Sequence, residues 1–145
     1  MIKRPYIAKA LTQRIQRQAN NRCGYCLASQ RFYSCRFSIE HIIPLSRGGT
    51  SDEKNLWLSC PACNLYKGAK THGHDLVTGN IARLFNPRTQ IWWENFEYSK
   101  EGTTIMGTTP IGRATVTALK LNNDLAIAAR RLWVAAQKFP PSQNS

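Results

Sequence analysis

Two Cys-x-x-Cys pairs are the residues whose types and spacing point most directly to chemistry. Cys23 and Cys26 form the first pair, and Cys60 and Cys63 form the second. Two thiolates from each pair can complete the tetrahedral ligand set of one structural zinc ion. The gap between the pairs is longer than the roughly 15–20 residues of a simple zinc ribbon. We therefore predict a structural zinc site with a larger unit looped out between its two halves.

The same cysteines could instead form disulfide bonds or a redox pair. The N-terminal residues 1–5 do not read as a basic stub followed by an apolar run, so we expect no secretory signal peptide and a cytoplasmic location. An odd count of five cysteines also leaves Cys35 over, and we interpret it as a buried or incidental thiol. These observations favour zinc over disulfides.

The segment between the pairs predicts a strand, a loop, a second strand and a helix. The first strand covers about residues 37–44 and ends at a proline, and the second runs over 55–59. Pro61 then suits the first position of a helix that begins at the second cysteine pair. That helix places Asn64 and Lys67 on one face, because they are three residues apart.

Polar residues of this unit fit the hydrolysis of a phosphodiester bond. His41 can act as the general base, since neutral imidazole accepts protons at physiological pH. Glu40 and Asn64 offer a carboxylate and an amide oxygen, which suit Mg²⁺ or Mn²⁺, whereas a histidine at position 64 would favour Zn²⁺ or Ni²⁺. Asn55 is better interpreted as a support whose amide bonds the backbone across the hairpin and fixes the loop next to His41.

In this order and between two cysteine pairs, the residues resemble the HNH endonucleases of the ββα-metal, or His-Me finger, group. The resemblance covers about residues 22–72 and includes the branch with two flanking Cys-x-x-Cys knuckles. It implies catalytic positions at Glu40, His41, Asn55 and Asn64. Glu40 stands where aspartate is common and Asn64 where histidine is common. The resemblance also implies cleavage of DNA that leaves 5′-phosphate and 3′-hydroxyl ends.

Each polar residue alone has an ordinary structural explanation. His41 alone would be a packed or surface histidine, Asn55 a turn residue and Asn64 a residue at a helix start. Their joint occurrence favours a nuclease site over a non-catalytic zinc-ribbon protein that binds nucleic acid, which is the alternative function. His72 and His74 could bind metal, but we expect them to be exposed loop residues.

The charge of the chain fits a nucleic-acid partner. Twenty Lys and Arg residues against eight Asp and Glu give a formal net charge of +12 in 145 residues. The residues predicted to contact DNA are Arg14, Arg17, Arg47, Lys67 and Lys70. No apolar run of about 18 residues predicts a membrane span, and we expect no small-molecule substrate. A homodimer could cut both strands.

We predict one α+β domain over residues 1–145, with a ββα-metal core stapled by zinc. The predicted parts are the core at about 22–72, a basic N-terminal helix at about 8–20, a C-terminal extension of a hairpin and helices at about 84–138, and a tail at 140–145. We also expect a short helix over 76–86 and an antiparallel hairpin over 91–106 with Trp92, Phe96 and Tyr98 in the core. A last helix is predicted from about Asn123 or Asp124 to Gln137, with Leu125, Ala129, Leu132 and Ala136 at helical spacing.

Overall fold

The computed structural model describes residues 6–143 and has a mixed α+β fold, as predicted. The helices of this part of the chain are α1 (Lys9–Gln18), α2 (Pro61–Lys67), α3 (Pro110–Ala118) and α4 (Asp124–Ala135). The strands are β1 (Ser38–His41), β2 (Leu56–Ser59), β3 (His72–His74), β4 (Ile81–Arg83), β5 (Phe96–Tyr98) and β6 (Ile105–Gly107), paired in sequence order as three antiparallel hairpins. The signal-peptide interpretation of residues 1–5 and the last two residues of the predicted tail lie outside the described residues.

Strands β1 and β2 and helix α2 form the predicted ββα unit. Glu40 pairs with Trp57 and His41 with Leu56 across the two strands. Helix α2 begins directly after β2, with Cys60 as N-cap and Pro61 in its first turn. Proline is favoured there because the first amide groups of a helix have no partner within the helix. The polar loop between the strands therefore lies next to α2.

Helix α1 packs against β2 through one apolar side. Ile15 is fully buried and Leu11 is half-buried, whereas Arg14 and Arg17 are exposed. The amphipathic pattern thus predicted the helix and its basic outer face, and the helix is shorter at both ends than the predicted 8–20.

The C-terminal part of the chain packs on the first cysteine pair. Trp92 stacks on Phe96 and on Tyr98, each at 5.0 Å between ring centroids. The Trp92 indole N–H donates to the carbonyl oxygen of Tyr25 at 2.9 Å, and the Tyr98 hydroxyl donates to that of Cys26 at 3.0 Å. These aromatic residues therefore belong to the core, as predicted, and hold the turn between Cys23 and Cys26.

The helix predicted over 76–86 is wrong, because this segment forms the β3–β4 hairpin. Asp75 begins its turn and accepts hydrogen bonds from the Val77 amide and the Thr78 hydroxyl. Arg113 of α3 binds the same carboxylate at 2.7 and 3.0 Å and anchors the hairpin to the helix. His72 and His74 are exposed, as expected, but they lie on β3 rather than in a loop.

The last helix is confirmed as α4, with Asn123 as its N-cap, but its two leucines at helical spacing face solvent. Leu125 and Leu132 are 83% and 72% exposed. The buried side of the helix contains Arg130, whose guanidinium donates to the Thr103 carbonyl at 2.9 Å and to the Asn122 side chain at 3.1 Å. The side of α4 that faces the protein therefore carries a buried arginine that donates hydrogen bonds to oxygen acceptors, and the leucines lie on the exposed side. Within residues 6–143, no helix is long and apolar enough to cross a membrane.

Candidate active site

The four cysteines of the two pairs converge on one point. The Sγ atoms of Cys23, Cys26, Cys60 and Cys63 all lie within 4.8 Å of one another, and the four residues are buried. The Sγ atoms of Cys26 and Cys60 are 3.8 Å apart. A tetrahedron with Zn–S bonds of about 2.3 Å places its sulfur atoms about 3.8 Å apart. Donor type, number and spacing therefore suit a zinc ion. Cys35 is exposed and lies outside this cluster, so of its two interpretations, a buried or an incidental thiol, the structure agrees with the incidental one.

His41 lies at the end of β1, with its ring at the entry to the β1–β2 loop. Its Nε2 atom lies 3.0 Å from the hydroxyl oxygen of Ser51, a residue in the middle of that loop. This contact fixes the orientation of the imidazole ring. The sequence analysis missed Ser51, because a serine in a loop rich in Gly, Ser and Thr gives no signal of its own.

Asn55 holds the loop next to His41 in place. Its Oδ1 atom accepts the Ile43 amide at 2.8 Å, and its Nδ2 group donates to the carbonyls of Ile43 at 2.9 Å and Thr50 at 2.7 Å. Its own carbonyl accepts the amide of Ile42 at 2.8 Å. These contacts are the backbone bonds across the hairpin that were expected of a supporting residue.

Glu40 is buried behind His41 and is only 5% exposed. The hydroxyl of Tyr25, from the turn of the first cysteine pair, donates to its Oε1 atom, and Nζ of Lys67 lies 3.6 Å from Oε2. Burial raises the pKa of Glu40 to about 7, although Lys67 and Tyr25 both favour the charged form. Burial and the nearby carboxylate raise the pKa of Tyr25, so its hydroxyl stays protonated and donates.

An open cleft brings the predicted catalytic side chains together. It has a volume of about 470 Å³, and its lining includes Glu40, His41 and Asn64. Asn64 lies on α2 and is half-buried, and its side chain makes no hydrogen bond to residues 6–143. Three residues that carry a carboxylate, an imidazole and an amide therefore line one volume, and the Glu40 side chain is the most deeply buried of them. Asn55 does not line the cleft, and its side chain instead bonds the backbone of the β1–β2 loop.

Residues 23–70 match the family model of the HNH endonucleases. This segment is an HNH domain. It contains both cysteine pairs, the ββα unit and the three residues of the cleft, and it covers about a third of the chain. No curated protein and no solved structure matches the chain.

Lys67 of the HNH domain is buried, whereas the sequence analysis predicted that it contacts DNA phosphates. It is only 2% exposed, and its Nζ donates to the carbonyl oxygen of His41 at 3.2 Å in addition to facing Glu40. Its spacing from Asn64 correctly put both residues on one helix, but the ammonium points into the protein. Lys67 therefore restrains the Glu40–His41 dipeptide and cannot reach DNA phosphates in this conformation.

The other predicted DNA contacts are exposed, and most of them have protein partners. Arg14 binds Glu53 with its guanidinium, at 2.7 Å for the shortest contact. Arg47 donates to the Ala69 carbonyl at 2.9 Å, and Lys70 donates to the Tyr66 carbonyl at 2.7 Å. Arg17 is exposed on α1 and makes no ion pair within the described part of the chain. Arg47 directly follows Ser46, and Lys70 comes two residues after Gly68, both of which line the cleft.

Proposed function

We propose that this protein is a metal-dependent DNA endonuclease that hydrolyses phosphodiester bonds, with His41 as the general base. The observation that supports this most directly is the cleft lined by Glu40, His41 and Asn64 within an HNH domain. The net charge of +12 favours a polyanionic substrate. Exposed Arg17, Arg47 and Lys70 would contact the DNA backbone, and Arg14 would do so if it released Glu53.

His41 would remove a proton from the attacking water. A general base must be held within hydrogen-bonding distance of that water, and the Ser51 contact at 3.0 Å together with the Asn55 clamp keeps the ring oriented. Lys67 adds a bond to the backbone carbonyl of His41. The base is thus fixed through both its side chain and its main chain, which reduces the entropic cost of reaching the reactive geometry.

Glu40 and Asn64 would hold the catalytic ion. A carboxylate and an amide carbonyl are hard oxygen donors, and Mg²⁺ is usually held by one or two carboxylates, with water and phosphate completing its shell. This donor set fits Mg²⁺ or Mn²⁺. Such an ion supplies a positive charge that stabilises the phosphate oxygens as charge develops on them. Tyr25 and Lys67 would keep the Glu40 carboxylate in one rotamer, while the zinc ion at the four cysteines serves folding.

The alternative function is a zinc-ribbon protein that binds nucleic acid without cutting it. Such a protein needs the cysteines and a basic surface, but it gains nothing from burying a carboxylate beside a histidine. Burying Glu40 costs stability, because desolvation disfavours its charged form, and a protein that only binds nucleic acid gains nothing in return. The cost of this arrangement favours the catalytic function.

A plasmid cleavage assay tests the proposal. Supercoiled plasmid is incubated with wild type and with Glu40→Ala, Asn64→Ala and Asn64→His, each with Mg²⁺, Mn²⁺, Ni²⁺, Zn²⁺ or chelator. We expect the wild type to cut with Mg²⁺ or Mn²⁺, both alanine variants to lose activity, and Asn64→His to prefer Mn²⁺, Ni²⁺ or Zn²⁺. His74→Ala, which removes an exposed histidine outside the cleft, is the matched control and should cut normally. Identical metal profiles for the wild type, Glu40→Ala and Asn64→Ala would refute this placement of the ion.

A further inference from the structure

A second groove, of about 400 Å³, lies between the end of α1, the loop that follows the first cysteine pair, and the segment after α4. Its lining includes the cationic residues Arg22, Arg31, Arg36 and Lys138 and no acidic residue. We name it the basic groove. A groove lined by one sign of charge concentrates its field and attracts ions of the opposite sign.

Three of its four cations are available to a ligand. Arg22 donates to the Leu27 carbonyl at 2.8 Å and is held by the protein. Arg31, Arg36 and Lys138 are exposed, and their side chains make no ion pair or hydrogen bond with any residue in the range 6–143. By comparison, the guanidinium of Arg113 forms an ion pair with Asp75.

The loop that presents the two arginines is fixed rather than loose. The Gln30 side chain spans it, donating to the Cys35 carbonyl at 2.8 Å and accepting the Phe37 amide at 2.7 Å. Phe32, which also lines the groove, stacks on Trp133 of α4 at 4.6 Å between ring centroids. The guanidinium groups therefore project from a braced backbone, which lowers the ordering cost of binding.

The basic groove begins next to the catalytic cleft. Arg36 borders the groove, and Ser38, two residues further along the chain, lines the cleft. Two residues span at most about 7 Å. The backbone at Arg36 is therefore within the length of about one nucleotide of the backbone that lines the cleft, a separation that an extended polymeric ligand can span and a small anion cannot.

We propose that the basic groove binds the phosphates of the nucleic-acid strand that continues beyond the scissile phosphate, with Arg31 and Arg36 as the main contacts and Lys138 at the far side. This inference rests on the proposed nuclease function for its choice of ligand. It extends the substrate contacts from the HNH domain into the loop at 30–37 and the C-terminal segment. Substrates long enough to leave the cleft gain affinity there, and short ones do not.

Equilibrium binding of fluorescent DNA duplexes tests the proposal. The measurement uses the His41→Ala background without added catalytic metal, so that binding is read without cleavage. Each phosphate contact contributes about 0.9 to the slope of log K against log salt. Arg31→Ala with Arg36→Ala should therefore lower the slope by about 2 on a long duplex. The His41→Ala parent should then lose about tenfold more affinity than the variant between 50 and 200 mM salt. On a duplex of a few base pairs the variant should match the parent.

Arg83→Ala with Lys100→Ala is the matched control, because it removes the same charge from two exposed residues outside the groove and without ion pairs in the described chain. Equal slopes for the two double variants on the long duplex would overturn the proposal. If wild type cuts plasmid and the slopes are equal, the groove is refuted while the nuclease stands. If wild type never cuts and the slopes differ as expected, the nuclease fails and the groove stands.

Discussion

Nζ of Lys67 lies 3.6 Å from Oε2 of Glu40, and both side chains are buried. The same ammonium donates to the carbonyl oxygen of His41, the next residue. One lysine on α2 thus contacts both members of the dipeptide that ends β1. With Tyr25 on the other carboxylate oxygen, Glu40 is connected to the second helix and to the first cysteine pair. Folding around the zinc site and alignment of the cleft are therefore coupled.

Replacing Lys67 by Ala should destabilise the protein rather than weaken its contact with DNA. Removing one partner of a buried ion pair costs about 3–5 kcal/mol, because the remaining charge is left uncompensated. We expect the free energy of unfolding in denaturant to fall by about this amount and the salt dependence of DNA binding to stay unchanged. Lys70→Ala, three residues along and exposed, should show the reverse pattern. A stable Lys67→Ala protein whose DNA binding depends less on salt would contradict this account and would support the original prediction that Lys67 contacts DNA phosphates.

The stability of the protein should depend on pH through Glu40. Its folded pKa of about 7 lies above the usual value of 4.5, so the folded state binds more protons between these values. Stability from this group is fully present below about pH 4.5 and is lost as pH rises to about 7. Glu40→Gln has no such titration. The melting temperature of the wild type, measured with saturating zinc, should therefore fall relative to that of Glu40→Gln between pH 5.5 and 7.5. A constant difference over this range would contradict a folded pKa of about 7 for Glu40.

The sequence predicted the ββα unit well because local rules determine it. Pro61 can occupy the first turn of a helix but not its middle, and the two cysteine pairs must meet if they bind one ion. The order of Glu40, His41 and Asn64 then leaves few ways to arrange them. Each of these constraints is carried by a short motif, so it can be recognised without knowledge of the tertiary structure.

The failures share a different cause. Helical spacing shows that Asn64 and Lys67 lie on one face, but it does not show whether that face meets solvent or protein. In α4, the pattern that includes Leu125 and Leu132 indicated a helix correctly. Arg130 is nevertheless buried, because a carbonyl oxygen distant in sequence accepts a hydrogen bond from its guanidinium. Tertiary partners decided each of these positions.

Asn55 should affect activity through position alone. Asn55→Ala removes three hydrogen bonds to the loop, and we expect a loss of about 1–3 kcal/mol in unfolding free energy. The cleavage rate should fall about 100-fold through misplacement of His41, with DNA affinity near that of the wild type. Asn55→Asp keeps the acceptor for the Ile43 amide but loses both donated bonds, so its rate should lie between the two. Activity of Asn55→Ala equal to that of the wild type would contradict the claim that the Asn55 hydrogen bonds position His41 for catalysis.

Zinc should be needed for folding. Cys60→Ser removes one thiolate of the cluster, whereas serine can still cap α2, so the variant isolates the loss of the metal ligand. Binding free energy at such a site is also folding free energy. We expect aggregation or loss of a cooperative melting transition. Cys35→Ser should be mild, because that thiol is exposed and outside the cluster. Elemental analysis should find one zinc ion per chain, and a sharply melting protein without zinc would contradict the prediction.

The measurement that tests the central claim most directly is single-turnover cleavage of labelled DNA by wild type and His41→Ala, with zinc content and DNA affinity determined on the same preparations. A general base acts in the transition state, so its removal should lower the rate by at least about 100-fold while affinity and zinc content stay near the wild-type values. Cleavage by His41→Ala at the wild-type rate would contradict the assignment of His41, and with it the catalytic reading of the cleft.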